Sequence, residues 1–91
     1  MRNSKNLIYH ELIGLDVIIA DHVDRSLVGR RGKVVDEYMN VLIVDDGIKK
    51  IKVSKLGGRF IFKLPKEDVV VRGELIIGRP EDRIKRYRGG I

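Results

Sequence analysis

The chain has 91 residues, no cysteine and a net charge of +6. This length supports one small domain with one core, and the lack of cysteine excludes a disulfide scaffold, a Cys-type zinc site and a thiol nucleophile. No apolar run approaches the ~20 residues of a membrane span, so the sequence predicts a cytoplasmic protein. The basic excess favours nucleic acid as the partner and an anionic membrane surface second.

The first periodic segment is LIYHELIG, residues 7–14. Its apolar residues have helical spacing, Ser4 is available as an N-cap, and Gly14 is available to end the helix. The sequence therefore predicts a short N-terminal helix after a flexible start at residues 1–6.

From Leu15 onward the apolar residues alternate with a period of two, which is typical of strands. GKVVDEY and VLIVDD follow as strand-like runs, and Asp46-Gly47 separates VLIV from IKKIKV. Asp-Gly between two such runs predicts a hairpin with a type I′ turn.

The last strand-like runs contain the largest apolar side chains. Phe60, Phe62 and Leu64 alternate along one run that Pro65 ends, and both phenylalanines are predicted core residues. VVVRGELII is predicted to form one strand that bends at Gly73.

These elements predict a mainly β fold with five or six short antiparallel strands and a short helix at each end. A closed or nearly closed barrel removes the exposed edges of so small a sheet. We expect one domain over residues 1–91, with 1–6 and 89–91 flexible.

No catalytic or metal-binding pattern stands out. The acidic residues occur as sequence neighbours, such as Asp36-Glu37, and neighbours on a strand point to opposite faces. His10 and His22 lack further ligands at metal-site spacing, and His22 is predicted to be a surface residue. We therefore predict neither catalytic residues nor a metal site.

Basic residues cluster in two glycine-containing loops, GRRGK (29–33) and KLGGRF (55–60). GRRGK does not match a phosphate-binding P-loop, because its glycines are too close together and Val34 follows the lysine. We interpret it as a tight turn with glycines at positive φ that presents cations to a sugar–phosphate backbone.

The C-terminal segment GRPEDRIKRYRGG (78–90) carries a third basic cluster. Pro80 suits a first helical turn, and the following acids suit its positive end. Pairs four residues apart, Glu81 with Lys85 and Asp82 with Arg86, favour a helix. We interpret the segment both as a capped helix and as a phosphate-facing surface.

Four stretches in order resemble one family: ELIGLDVII (11–19), SLVGRRGKVVDE (26–37), FIFKLP (60–65) and GRPEDRIKR (78–86). Together they are similar to the archaeal ribonuclease P protein component 1, the counterpart of a eukaryotic ribonuclease P/MRP subunit. The resemblance extends over residues 7–88 and implies an Sm-like or SH3-like barrel.

The resemblance also implies a function. A member of this family is a non-catalytic RNA-binding subunit in the removal of the 5′ leader from precursor tRNA. The RNA subunit with magnesium is then the catalyst, and this chain binds no cofactor. The implied partners are ribonuclease P RNA, the zinc-ribbon ribonuclease P protein subunit and the other ribonuclease P proteins.

The candidate contact residues follow from the basic loops, the C-terminal segment and the apolar N-terminal helix. The predicted RNA-binding residues are Arg30, Arg31, Lys33, Lys55, Arg59, Arg79, Arg83, Lys85, Arg86 and Arg88. The predicted protein-partner contacts are Leu7, Ile8 and Leu12.

Two alternatives remain at the level of sequence. GRRGKVV is also similar to the turn of KOW-type barrels that bind ribosomal RNA or the transcription machinery, although GRPEDRIKR speaks against that class. A basic barrel that binds only protein is the third possibility. Co-purification with ribonuclease P RNA, ribosomal RNA or protein alone separates the three.

Overall fold

The fold is a single antiparallel β-sheet with short 3₁₀ turns, and the computed structural model describes residues 6–83. The 3₁₀ turns are Leu7–Tyr9, Arg25–Leu27 and Gly73–Ile76, and a helical turn occupies 80–83. The strands are β1 (Asp16–His22), β2 (Arg31–Glu37), β3 (Val41–Asp45), β4 (Lys50–Ser54), β5 (Gly58–Lys63) and β6 (Asp68–Arg72).

The spatial order of the strands is β4-β3-β2-β1-β5-β6, and every neighbouring pair is antiparallel. The predicted mainly β class with five or six antiparallel strands is confirmed, and six are present. The sheet is open rather than closed, because β4 and β6 are its two edges. Irregular pairing between Ile19 and Asp21 on β1, and between Val34 and Asp36 on β2, interrupts the ladders in its centre.

The core forms on one face of the sheet, where alternate residues of each strand are buried. Phe60 and Phe62 are fully buried and lie with ring centroids 6.3 Å apart, as predicted. They pack with Val17 and Ile19 of the neighbouring strand β1. Each such side chain contributes about 1.5–3 kcal/mol relative to its exposed state.

The predicted N-terminal helix is wrong beyond its first turn. Only Leu7–Tyr9 form a 3₁₀ turn, after which His10 is extended. Further along, the amide of Leu12 donates to the Glu37 carboxylate and that of Gly14 to the Val34 carbonyl. Contacts with β2 therefore replace the hydrogen bonds that would continue a helix.

Two other local predictions need correction. Gly47 has φ +95°, but no other residue of the β3–β4 turn has positive φ, so this turn is not type I′. The run 69–77 is not one bent strand, because β6 ends at Arg72 and a 3₁₀ turn begins at Gly73. A Cβ on Gly73 would lie 1.5 Å from the Lys55 carbonyl oxygen, so this close approach requires glycine.

GRRGK is only partly the predicted turn. Gly29 has φ +84°, whereas Gly32 lies within β2 opposite Val17. A Cβ on Gly32 would lie 2.2 Å from the backbone oxygen of Asp45, so glycine lets β2 and β3 approach closely. In the part of the chain that the structure describes, no helix is long and apolar enough to cross a membrane.

Candidate RNA interface

A buried ion cluster lies where the two ends of the described chain meet. The Glu37 carboxylate accepts hydrogen bonds from Lys55 Nζ at 2.8 Å and from both terminal nitrogens of Arg83. All three side chains have at most 1% of their surface exposed. We call these three residues the Glu37 clasp.

The clasp corrects two predicted RNA contacts. Lys55 and Arg83 were predicted to face phosphates because they lie in basic segments, but both side chains are buried against Glu37. Two cations on one carboxylate leave a net positive charge in the interior. Such a charge is stable only when carbonyl oxygens solvate it.

Backbone carbonyls from three parts of the chain supply that solvation. Arg83 Nε donates to the Ile8 oxygen at 2.6 Å, and Nη2 donates to the His10 oxygen at 2.7 Å. Lys55 Nζ donates to the oxygens of Met39 at 3.2 Å and Gly78 at 2.8 Å. The cluster therefore joins residues 8–10 to the start of the C-terminal helical turn.

The predicted partner contacts are mostly internal. Leu7 and Leu12 are buried in the core, so neither side chain is available to a partner on this surface. Ile8 is half-buried and packs against the core from outside. It lines a shallow cleft with Tyr9 and Leu75, and Leu75 is half-exposed.

Three predicted RNA contacts are exposed: Arg31, Arg59 and Arg79. Within residues 6–83 their side chains form no ion pair. Arg30 and Lys33 form only long surface pairs at 3.7 Å, with Asp46 and Asp16. The remaining predicted contacts, Lys85, Arg86 and Arg88, lie outside the described residues. So do residues 1–5 of the predicted flexible start 1–6, residues 89–91, the Ser4 cap, and the basic partners of Glu81 and Asp82 in the predicted pairs.

Lys33 belongs to a row of alternating charges on the solvent face of the sheet. One residue from each strand contributes, and each is directly opposite the next in the pairing register. The order across the sheet is Lys50, Asp45, Lys33, Asp16, Lys63 and Asp68. This row has no net charge, which makes Lys33 a weaker phosphate ligand than the unpaired arginines.

The groups considered for catalysis and metal binding have structural roles. His22 was predicted to be a surface residue, but it is buried, with Nε2 2.9 Å from the Ser54 oxygen and Nδ1 accepting from the Asp24 amide at 2.9 Å. Asp36 accepts from the Tyr38 hydroxyl at 2.9 Å, which raises the pKa of that phenol. Among residues 6–83, no group of three or more His, Asp or Glu side chains is arranged around a metal position.

The net charge of the protein is distributed very unevenly. Residues 6–83 contain 14 of the 19 Lys and Arg and all 13 Asp and Glu, which leaves +1, and the clasp buries that single charge. The five other cations fall in 1–5 and 84–91. The surface of the described sheet is therefore neutral on average, and only local groupings make it basic.

One such grouping is not among the predicted contacts, which came from two glycine-containing loops and the C-terminal segment. Lys49, Lys50 and Lys52 are exposed at the β3–β4 turn and along β4. Ile48 at the same turn is 92% exposed. The sequence signal for this basic grouping is the presence of three lysines within four positions after the Asp-Gly turn.

A six-stranded antiparallel sheet with unpaired surface arginines defines a small, basic β-sheet protein, and comparison with known proteins identifies its family. A family model for the ribonuclease P/MRP subunit p29 matches residues 5–86. The chain belongs to this family.

Individual relatives agree. Ribonuclease P protein component 1 of Staphylothermus marinus is 47% identical over 88 residues, which is 93% of this chain and 96% of that protein. Its counterpart in Methanococcus aeolicus is 47% identical over 83 residues, 89% of this chain and 86% of that protein.

A solved structure is also similar. Mth11, described as a homologue of the human RNase P protein Rpp29, matches with TM-score 0.59 and 44% identity over 82% of this chain and 99% of that one. The comparisons do not favour the KOW-type alternative.

Proposed function

We propose that this chain is an RNA-binding protein subunit of ribonuclease P that supports removal of the 5′ leader from precursor tRNA. The relatives named ribonuclease P protein component 1, at 47% identity over most of the chain, support this role. Catalysis then belongs to the RNA subunit with its magnesium ions. The chain itself contributes positively charged side chains and a folded surface. It acts with the other ribonuclease P proteins in the cytoplasm.

The Glu37 clasp is the observation that supports a particular surface for RNA binding. Arg83 hydrogen-bonds the carbonyls of Ile8 and His10, so residues 8–10 and residue 83 lie side by side. All five surplus cations belong to the segments that continue from these two places. The clasp therefore holds the two ends of the described chain side by side, and we propose that the basic segments continuing from them attract phosphates together.

The finer assignment of partners follows from the same end of the molecule. The cleft lined by Ile8, Tyr9 and Leu75 also includes Glu74 and adjoins the clasp at Arg83. We propose it as a contact for the zinc-ribbon subunit, in place of the buried leucines. Arg31, Arg59 and Arg79 add exposed cations for RNA.

Affinity capture from the host organism tests the role. The tagged chain should retain ribonuclease P RNA and the zinc-ribbon subunit through washing at low salt. It should release the RNA at high salt, since about 0.7–0.9 units of log K per log salt are lost for each phosphate contact. Retention of ribosomal RNA instead, or of protein without RNA, would contradict the proposal.

A further inference from the structure

The β3–β4 hairpin uses its own acids to hold its turn. Oδ1 of Asp46 accepts the amides of Ile48 and Lys49, each at 2.8 Å, and Oδ1 of Asp45 accepts the amide of Gly47 at 2.9 Å. These backbone hydrogen bonds lower the pKa of Asp46, and the nearby Arg30 and Lys49 charges add to the effect. The turn is therefore closed by carboxylates that point into it.

The outward side of the same hairpin is cationic. Lys50 and Lys52 lie on the solvent face of β4, roughly 6.5–7 Å apart along the strand. Lys49 adds a third exposed cation at the turn, and Ile48 at its tip is 92% exposed. The hairpin therefore presents three lysines around one isolated apolar side chain.

Arg30, directly before β2, extends this surface. Its Nη1 lies 3.7 Å from Asp46 Oδ2. Together Arg30 and the three lysines give four cations against the two acids that hold the turn. Because the described part of the chain has a net charge of only +1, this is a local positive patch on an otherwise slightly acidic sheet.

We infer that the β3–β4 hairpin is a second RNA contact, separate from the basic chain ends, in which its lysines bind phosphates and Ile48 packs against a base or ribose. The clasp contacts Met39 before β3, whereas the hairpin turn follows β3. The clasp and the hairpin turn therefore lie at opposite ends of β3, about 15 Å apart. The inference rests on the proposed RNA-binding role and assigns it a second site.

An RNA partner fits this patch better than a protein does. Stable protein interfaces bury about 800 Å² on each side and are depleted in lysine. A single exposed isoleucine among lysines offers little apolar area for such a contact. Phosphate binding depends instead on the number of unpaired cations, and base or sugar packing requires only one apolar side chain.

The test is a salt titration of binding to the host's ribonuclease P RNA. Lys49→Gln with Lys52→Gln removes two hairpin cations that form no ion pair within residues 6–83. Lys63→Gln with Lys66→Gln is the matched control, because it removes the same charge near the β5–β6 turn. The hairpin variant should show a slope shallower by about 1.4–1.8, and the control should keep the slope of the unaltered protein. Equal slopes for the two variants would overturn the inference.

Ile48→Ala tests the apolar contact independently. Its side chain has almost no packing in the free protein, so melting should not change. Affinity should fall by about threefold or more at every salt concentration, with the slope unchanged. Val70→Ala, at an exposed site on β6, is the control and should bind normally. An unchanged affinity for Ile48→Ala would remove the isoleucine from the contact.

Combining the hairpin variant with the chain-end variant Lys85→Gln, Arg86→Gln and Arg88→Gln separates this inference from the proposed function. Two separate contacts should give additive losses in log K, since distant sites are independent. If only the chain-end variant weakens binding, the hairpin inference fails and the proposed function stands. If the unaltered protein does not bind the RNA, both fail.

Discussion

Arg83 and Glu37 are 46 residues apart in the chain, and both terminal nitrogens of the guanidinium contact the two oxygens of the carboxylate in the protein interior. The pair joins the end of β2 to the last described turn of the chain. Lys55 approaches the same carboxylate from the end of β4. Glu37 is therefore the one acidic group that holds three distant parts of the sequence together.

Neutralising Glu37 should destabilise the protein strongly. Glu37→Gln leaves Lys55 and Arg83 buried without an opposite charge, and removal of one partner from a buried pair costs on the order of 3–5 kcal/mol. The melting temperature should fall by at least about 10 °C in a domain of this size. Calorimetry or thermal circular dichroism gives the measurement.

Asp36→Asn is the control for that experiment. Asp36 is the sequence neighbour of Glu37, but its carboxylate bonds the Glu37 amide and the exposed Tyr38 hydroxyl. Its loss should cost no more than about 1 kcal/mol. Similar melting temperatures for the two variants would show that the clasp is not a major source of stability.

The C-terminal cations can be removed without touching the clasp. Lys85→Gln, Arg86→Gln and Arg88→Gln should lower the free energy of unfolding by no more than about 1 kcal/mol, since only the two predicted pairs with Glu81 and Asp82 are lost and the clasp residues are kept. If all three bind phosphates, the salt dependence of RNA binding should become shallower by about 2.1–2.7. Arg83→Gln is the contrasting variant and should melt early. An unchanged slope in the triple variant would leave the C-terminal segment without an RNA role.

The purified chain should not cleave RNA by itself. Glu37 pairs with cations and Asp46 closes a turn, and among residues 6–83 no three His, Asp or Glu side chains converge around a metal position. Precursor tRNA incubated with magnesium and the RNA-free protein should therefore stay intact. Metal-dependent cleavage that survives nuclease treatment and repurification of the protein would contradict this expectation.

Acid should loosen the β3–β4 turn when Asp46 takes up a proton. The pKa of Asp46 lies below its ordinary value of 3.8 in the folded protein because the amides of Lys49 and Ile48 donate to it. A lowered folded pKa stabilises the turn above the unfolded value, and that contribution is lost as the pH falls through the folded value. The amide resonances of Ile48 and Lys49 should titrate together below pH 3.8, and Asp46→Asn should abolish that titration.

Much of the fold follows from local patterns in the sequence. Alternation of apolar residues identified the strands, and Phe60 and Phe62 are in the core as expected. Predictions failed where a residue's environment depends on distant contacts. Leu7 and Leu12 have helical spacing in the sequence, but hydrogen bonds to β2 replace those of a helix.

The interface was harder to predict than the fold because charge in a sequence says nothing about burial. Lys55 and Arg83 lie in basic segments, and only the folded structure shows that both side chains are buried against Glu37. Conversely, the Lys49–Lys52 run was treated as an ordinary strand. Its position at the β3–β4 turn and on the edge strand β4, near Arg30, arises from pairing between strands.

The alternating row on the solvent face also bears on how the strands find their partners. A slip of one residue would turn the apolar side chains outward, so the core already prevents it. A slip of two residues keeps every side chain on its proper face, so the hydrophobic pattern alone does not exclude it. Such a slip would set Lys63 opposite Val70 or Asp16 opposite Ile61, with loss of the cross-strand charge pairs. The charge row therefore favours the observed strand register where the hydrophobic pattern alone permits a shift of two residues.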